Sequence, residues 1–245
     1  MASKVVRSAA RTALTISVLA VAAALLIALV VSLSPSSEAD RRWTFTEQAS
    51  DIAELGFIVP VDRSGAWLLE DHEDATGGRA LFNHRGEGPG KPALAVTRKT
   101  LARDLGVATR CKVSPGYDER ACGVVFRFKD ADHYYVARID DVTKKVVFAV
   151  VVGGREHVLQ QESFTADATS WQNLRVDAHA DVFVVHYNGA ALFEVRDLTF
   201  SSEGGVGLWV PSAGAAHFDE LVVEQHGSSV HPNDLFPFIV QQGHT

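Results

Sequence analysis

The stretch GVVFRFKDADHYYVARID, residues 123–140, decides the fold class. Its first half alternates with a period of two, since Val124, Phe126 and Phe128 occupy every second position. Such alternation is typical of a β-strand with one buried face. The polar residues KDAD then predict a turn, and a second strand-like run follows over residues 133–139.

Short strand-like runs separated by turn signals continue as far as about residue 225. Gly153-Gly154 and Asn188-Gly189 favour the positive φ angles of two-residue hairpin turns. After residue 40 no stretch shows the sustained 3.6-residue apolar period of a helix. The sequence therefore predicts an all-β sandwich or barrel. The predicted strands cover residues 122–128, 133–139, 145–152, 155–161, 171–178, 182–187, 191–195, 206–210 and 217–223.

Three segments in the same order resemble the concanavalin A-like jelly-roll superfamily. They are residues 123–140, SWQNLRVDAHADVFVVHYNGAALFEV at 170–195 and GGVGLWVPSAGAAHFDELVV at 204–223. More narrowly, they resemble 3-keto-disaccharide hydrolase-like, glycoside hydrolase family 16-like and laminin-G-like domains. The resemblance implies a jelly-roll β-sandwich over residues 43–225. It implies little about chemistry, because this superfamily includes enzymes, lectins and interaction domains.

The N-terminal region predicts a transmembrane helix. Residues 13–33, ALTISVLAVAAALLIALVVSL, carry no charge, and a helix of this length spans roughly 30 Å, the thickness of a bilayer's hydrocarbon core. Three basic and no acidic residues precede it. We therefore expect residues 1–12 in the cytoplasm and the domain in the periplasm or outside the cell. The alternative is a cleavable signal peptide.

Two further segments complete the predicted organisation. A polar linker over residues 34–42 joins the anchor to the sandwich. A tail over residues 226–245 follows the sandwich and contains the apolar run LFPFIV at 235–240. We expect this run to pack against its own domain, and the alternative is docking to a partner protein.

The charge balance excludes one class of partner. Outside residues 1–37 the chain holds 20 basic and 30 acidic residues. An acidic domain repels phosphate backbones, so nucleic acid is not expected as a partner.

The two cysteines predict a disulfide. Cys111 and Cys122 flank KVSPGYDERA, which we interpret as the tip of a hairpin that brings the two sulfurs face to face. In an oxidising compartment such a pair should close. The alternative is two free thiols. Because no Cys-x-x-Cys is present, the bond is expected to stabilise the hairpin rather than to act in redox chemistry.

Motifs for catalysis are not found. The resemblance to family 16 enzymes implies acids arranged as Glu-x-Asp-x-x-Glu on one strand, and this string is absent. No Gly-x-Ser-x-Gly or His-Glu-x-x-His occurs either. We therefore expect a non-catalytic module that binds a carbohydrate or a protein. An accessory subunit of a membrane protein complex and a sugar hydrolase of the 3-keto-glycoside type remain alternatives.

Polar and aromatic side chains on the predicted strands are the candidate ligand-binding residues. If the polar sides of these strands face one way, they form a charged sheet face with rings able to stack on a sugar or a protein side chain. The alternative is cross-strand ion pairs for the arginines and core positions for the aromatic residues. The candidates are Arg127, Tyr135, Arg138, Arg175 and Trp209, with His186 and Glu194 on the same polar sides.

The resemblance also implies a structural Ca²⁺ between the first and last strands. Asp219 stands at the corresponding place, with Glu47 or Asp51 as an N-terminal partner, and carboxylate oxygens suit Ca²⁺. The alternative is that Asp219 only bonds a neighbouring strand or loop. The acidic loop 70–74 is a weaker candidate.

Overall fold

The computed structural model of the protein describes residues 40–46, 49, 51–60, 66–84, 90–97 and 103–226. The chain divides into two units, Met1–Glu38 and Ala39–Thr245, and every described residue belongs to the second. The predicted cytoplasmic segment, the anchor, most of the linker and the tail after residue 226 therefore lie outside the described residues. Within the ranges given above, no helix is long and apolar enough to cross a membrane.

The described residues form 15 strands in two antiparallel sheets and no helix, so the predicted all-β sandwich is confirmed. The first sheet, sheet A, runs in the order β13 (Ala190–Arg196), β12 (Val182–Tyr187), β11 (Gln172–His179), β6 (Leu105–Val113), β15 (Ala215–Gln225), β4 (Arg79–His84) and β3 (Ala66–Asp71), with β1 (Arg41–Trp43) beside β15. The second sheet, sheet B, runs in the order β10 (Arg155–Ser163), β9 (Lys145–Val152), β8 (His133–Asp140), β7 (Ala121–Asp130), β14 (Gly205–Val210), β5 (Ala93–Thr97) and β2 (Phe57–Ile58).

The strand bounds agree closely with the alternation of the sequence. β9 and β12 begin and end at the predicted residues. Both predicted hairpin turns are present, with φ of 59° and 74° at Gly153 and Gly154 and of 49° and 84° at Asn188 and Gly189. β1 begins inside the predicted linker, because Arg41 pairs with Val223 of β15.

The main core lies between the two sheets. Since side chains of a strand alternate between its faces, every second residue of the central strands enters this layer. Phe126, Tyr135, Phe148 and Phe183 meet there, with ring centroids of neighbouring pairs 5.0–5.9 Å apart.

The opposite face of sheet B, which we call its outer face, is also apolar and buried. Leu94, Val125, Val136 and Ala149 are 0% exposed there. This second apolar face explains why β9 is an almost unbroken apolar run, as is usual for a strand buried on both sides.

The predicted disulfide is confirmed, but the hairpin interpretation is wrong. Cys111 and Cys122 are bonded. However, Cys111 lies in β6 of sheet A, where it pairs with Phe218, whereas Cys122 lies in β7 of sheet B, where it pairs with Ile139. The segment between them crosses from one layer to the other, because β6 takes its hydrogen-bonding partners from β11 and β15 rather than from β7. The disulfide therefore joins the two sheets.

Candidate ligand-binding groove

A groove of about 410 Å³ opens where the outer face of sheet B meets the loops at one end of the sandwich. Its floor is formed by residues from the central strands of sheet B, and its rim by the loops that follow β6, β8 and β14. The floor includes Ala121, Arg138 and Trp209, and the rim includes residues 118–120, 142–143 and 211–212.

A glycine in the middle strand determines how the floor is built. Trp209 of β14, Gly123 of β7 and Arg138 of β8 are direct neighbours across the sheet. A Cβ at position 123 would lie 2.8 Å from the Cβ of Arg138 and 2.1 Å from the carbonyl oxygen of Ala137. Because Gly123 leaves this space open, the guanidinium carbon of Arg138 lies 5.3 Å from the centre of the Trp209 ring. This is a cation–π contact.

Arg138 also binds an acid on the edge strand of the sheet. Its Nη1 and Nη2 donate to Oε2 and Oε1 of Glu156, at 2.7 and 2.9 Å. The side chains are 13% and 32% exposed. A bidentate pair of this kind is geometrically well defined, and its partial exposure leaves hydrogen-bonding capacity for a ligand that enters the groove.

Backbone amides and hydroxyls orient the carboxylates of the rim. Glu119 accepts hydrogen bonds from Ser212 Oγ and from the amide of Ala213, at 3.1 and 2.7 Å. Asp140 accepts two from the amides of Val142 and Thr143, each at 3.0 Å. The rim residues 118–120 lie within the loop that the disulfide closes, so the disulfide holds this part of the rim against the sheet.

Arg120, the arginine of the rim, pairs with a carboxylate that does not line the groove. Arg120 Nε donates to Asp141 Oδ2 at 3.1 Å, and Lys144 bonds the same carboxylate. Burial alone would raise the pKa of Asp141, but the bonds from Lys144 and Arg120 outweigh it and lower that pKa.

Two of the five candidate residues, Arg138 and Trp209, meet in the groove. Arg127 lies elsewhere, because a β-bulge with φ of 46° at this residue turns its side chain into the interior. It is 0% exposed, and its guanidinium donates to the carbonyl oxygens of Arg103, Ala180 and Phe200. Burial lowers the pKa of Arg127.

Tyr135 lies in the core between the sheets. Its hydroxyl donates to Asp197 and accepts from the amide of Phe200. Burial, together with the bond to Asp197, raises the pKa of Tyr135 to about 12. A hydroxyl engaged in this way stabilises the loop after β13.

Arg175 lies on the outer face of sheet A. It bonds Asp177 Oδ1 at 2.6 Å and Glu224 at 2.7 Å, and His186 Nε2 lies 2.9 Å from Asp177 Oδ2. Burial alone would raise the pKa of Asp177, but the bonds from His186 and Arg175 outweigh it and lower that pKa to about 2. The candidate residues thus occupy three places in the fold and do not form one charged face.

Sequence reasoning missed Glu156 and the rim acids. Glu156 is 18 residues from Arg138 in the chain, on an edge strand whose residues are mostly exposed. No local pattern distinguishes it from its exposed neighbours. Sequence reasoning also missed a cluster on the outer face of sheet A, where Trp171 contacts Arg110, Lys112 and His72 at 5.0–5.4 Å from its ring centre.

The predicted Ca²⁺ ligands are engaged with the protein's own groups where they are described. Asp219 accepts hydrogen bonds from the amide and the hydroxyl of Thr76, at 2.9 and 2.6 Å, and pairs with Arg110. A cation bound there would have to replace that guanidinium, so the present arrangement does not fit Ca²⁺. Asp51 accepts from the amide of Ala53, and Glu47 lies outside the described residues. In the described part of the chain, no three potential metal-ligating side chains converge.

Comparisons with known proteins identify the fold class. No protein-family model matches the sequence, and no curated protein sequence matches it. Among solved structures, the carbohydrate-binding module CBM66 from Bacillus subtilis is similar with a TM-score of 0.58 and 22% identity, over 69% of this chain and 96% of that one. A Bacillus licheniformis β-glucanase is similar with a TM-score of 0.52 and 13% identity, over 78% of this chain and 100% of that one.

A Bacillus subtilis protein of unknown function with a galectin-like fold has a TM-score of 0.54 and 12% identity, over 76% of this chain and 94% of that one. These likenesses are consistent with the concanavalin A-like jelly-roll fold that the sequence resemblance implied. At such identities they show the fold and not the chemistry.

Proposed function

We propose that this domain is a carbohydrate-binding module and that the groove on sheet B is its binding site. The observation that carries the proposal is the bidentate Arg138–Glu156 pair beside Trp209 in a groove of about 410 Å³. A guanidinium that donates and a carboxylate that accepts suit the hydroxyl groups of a sugar, and the buried indole of Trp209 supports the guanidinium from below. The similarity to a carbohydrate-binding module supports this reading.

A non-catalytic role is part of the proposal. A retaining glycosidase needs two carboxyl groups about 5 Å apart that act on the same bond. Glu156 is bound by Arg138, Glu119 accepts hydrogen bonds from the loop after β14, and Asp140 accepts them from its own turn. Carboxylates held in this way can maintain the shape of the groove and accept hydrogen bonds from the hydroxyl groups of a ligand.

We further propose that residues 13–33 retain the domain at a membrane and that it functions in the periplasm or outside the cell. The inter-sheet disulfide supports this location, because disulfides persist in oxidising compartments. Protease treatment of intact and of permeabilised cells tests the location. Degradation of the domain only after permeabilisation of the inner membrane would contradict it.

Calorimetric titration of the full chain in detergent with a panel of neutral, amino and acidic oligosaccharides tests the binding function. Binding of at least one glycan is expected, and it should be weakened by about tenfold or more in Arg138→Met. A panel without any binder would overturn the proposal. Release of reducing ends from a bound glycan would favour the hydrolase alternative, and purification only together with another protein would favour the accessory-subunit alternative.

A further inference from the structure

The groove carries more negative than positive charge. Six charged side chains line it: Asp118, Glu119, Arg120, Arg138, Asp140 and Glu156. These are four carboxylates and two guanidinium groups. Glu156 pairs with Arg138, and Asp141, outside the lining, pairs with both Arg120 and Lys144. Three carboxylates remain, and in the part of the chain that the structure describes none of them forms an ion pair with a basic side chain.

Neutral groups position two of these three carboxylates. Glu119 is oriented by Ser212 and Ala213, and Asp140 by the amides of its own turn. These donors leave the charge of the carboxylates uncancelled, and an ionised carboxyl group has about four acceptor positions, of which two are used here. Asp118 is exposed at the rim. The groove can therefore accept further hydrogen bonds from a charged donor.

We propose that the groove selects glycans that carry free amino groups. This inference rests on the proposed carbohydrate-binding function and specifies its ligand class. Ammonium groups along such a glycan would each bind a separate carboxylate of the rim, that of Asp118, Glu119 or Asp140, while neighbouring hydroxyls bond the Arg138–Glu156 pair. A uronic acid would place a like charge against the same carboxylates, and such repulsion is an effective source of specificity.

Three pentasaccharides with the same β-1,4 linkage test the proposal: those of glucosamine, glucose and glucuronic acid. The full chain in detergent is titrated with each at low and at high salt. We expect affinity to fall in that order, by about tenfold or more from the first to the last, and the difference to shrink in 0.5 M NaCl because salt screens exposed charges.

A matched pair of variants separates the groove from the overall charge of the domain. Asp118→Asn is expected to reduce the preference for the glucosamine pentamer several-fold. Glu203→Gln removes the same charge from an exposed residue of the loop before β14 and should leave the preference unchanged.

Equal or tighter binding of the glucuronic acid pentamer would overturn the inference, and so would an equal effect of the two variants. If none of the three pentasaccharides binds, the inference fails even where another glycan of the panel binds. In that case the proposed function stands without it.

Discussion

The guanidinium of Arg138 lies over the indole ring of Trp209, and only the glycine at position 123 separates the two residues across the sheet. The two side chains thereby form the floor of the groove, and Trp209 itself is 5% exposed. A ligand entering the groove therefore meets the arginine and its partner Glu156 before it meets the indole.

Replacing Arg138 with Met should weaken glycan binding by about tenfold or more, because the hydrogen-bond donors of the floor are lost. Stability should change by less than about 1 kcal/mol, since Glu156 is partly solvated. Calorimetric titration and urea unfolding measure the two effects. Arg175→Met, on the outer face of sheet A, is the control and should leave binding intact. Equal binding by both variants would place the site elsewhere.

Replacing both Cys111 and Cys122 with Ser should lower the free energy of unfolding by roughly 2–3 kcal/mol, because the bond closes a short loop of the unfolded chain. Glycan affinity should also fall, since the closed loop carries residues 118–120 of the rim. Urea unfolding and titration check both results. Wild-type protein treated with reductant should behave like the variant. Unchanged stability would contradict the prediction. It would show that packing between the sheets holds the segment between Cys111 and Cys122 in place without the disulfide.

Asp177 should contribute stability that depends on pH. Its pKa in the folded protein is about 2, below its ordinary value of 3.8, so folding favours the charged form. This contribution to stability is fully present when the pH lies above the ordinary pKa of 3.8. It is lost as the pH falls towards the folded-state pKa of about 2. Asp177→Asn should therefore cost about 2 kcal/mol at pH 7 and progressively less below pH 4. Urea unfolding at several pH values measures it. Asp181→Asn, at a more exposed acid, should show little effect, and a cost for Asp177→Asn that is independent of pH would contradict the prediction.

Arg127→Met should destabilise the domain by about 3–5 kcal/mol, because three partly buried carbonyl oxygens lose the donor that the fully buried guanidinium supplies. Glycan affinity per folded molecule should be unchanged, since Arg127 lies between the sheets. Thermal unfolding and titration provide the measurements. Arg196→Met, at a side chain that is 65% exposed, should change stability by about 0.5 kcal/mol or less. A loss of glycan binding in folded Arg127→Met would contradict the prediction and show that Arg127 contributes to ligand binding.

Much of the secondary structure could be predicted from the sequence, because it depends on neighbouring residues. The alternation in β12, and the Gly153-Gly154 and Asn188-Gly189 pairs, specify strands and turns locally. Two residues of the groove's floor, Arg138 and Trp209, were among the candidates taken from the sequence. Their contact was not predicted, because it depends on Gly123, which lies between them only after β14 and β7 have paired.

Where the chain forms strands and where it turns follows from the sequence alone, because period and turn residues act over short distances. A bond between Cys111 and Cys122 was expected too, but from a hairpin that the structure does not contain. Which sheet each strand joins is settled only in the folded molecule. That assignment depends on hydrogen bonds between segments far apart in the chain. It made the disulfide a link between sheets, turned Arg127 inward at a bulge and brought Glu156 from an edge strand to Arg138.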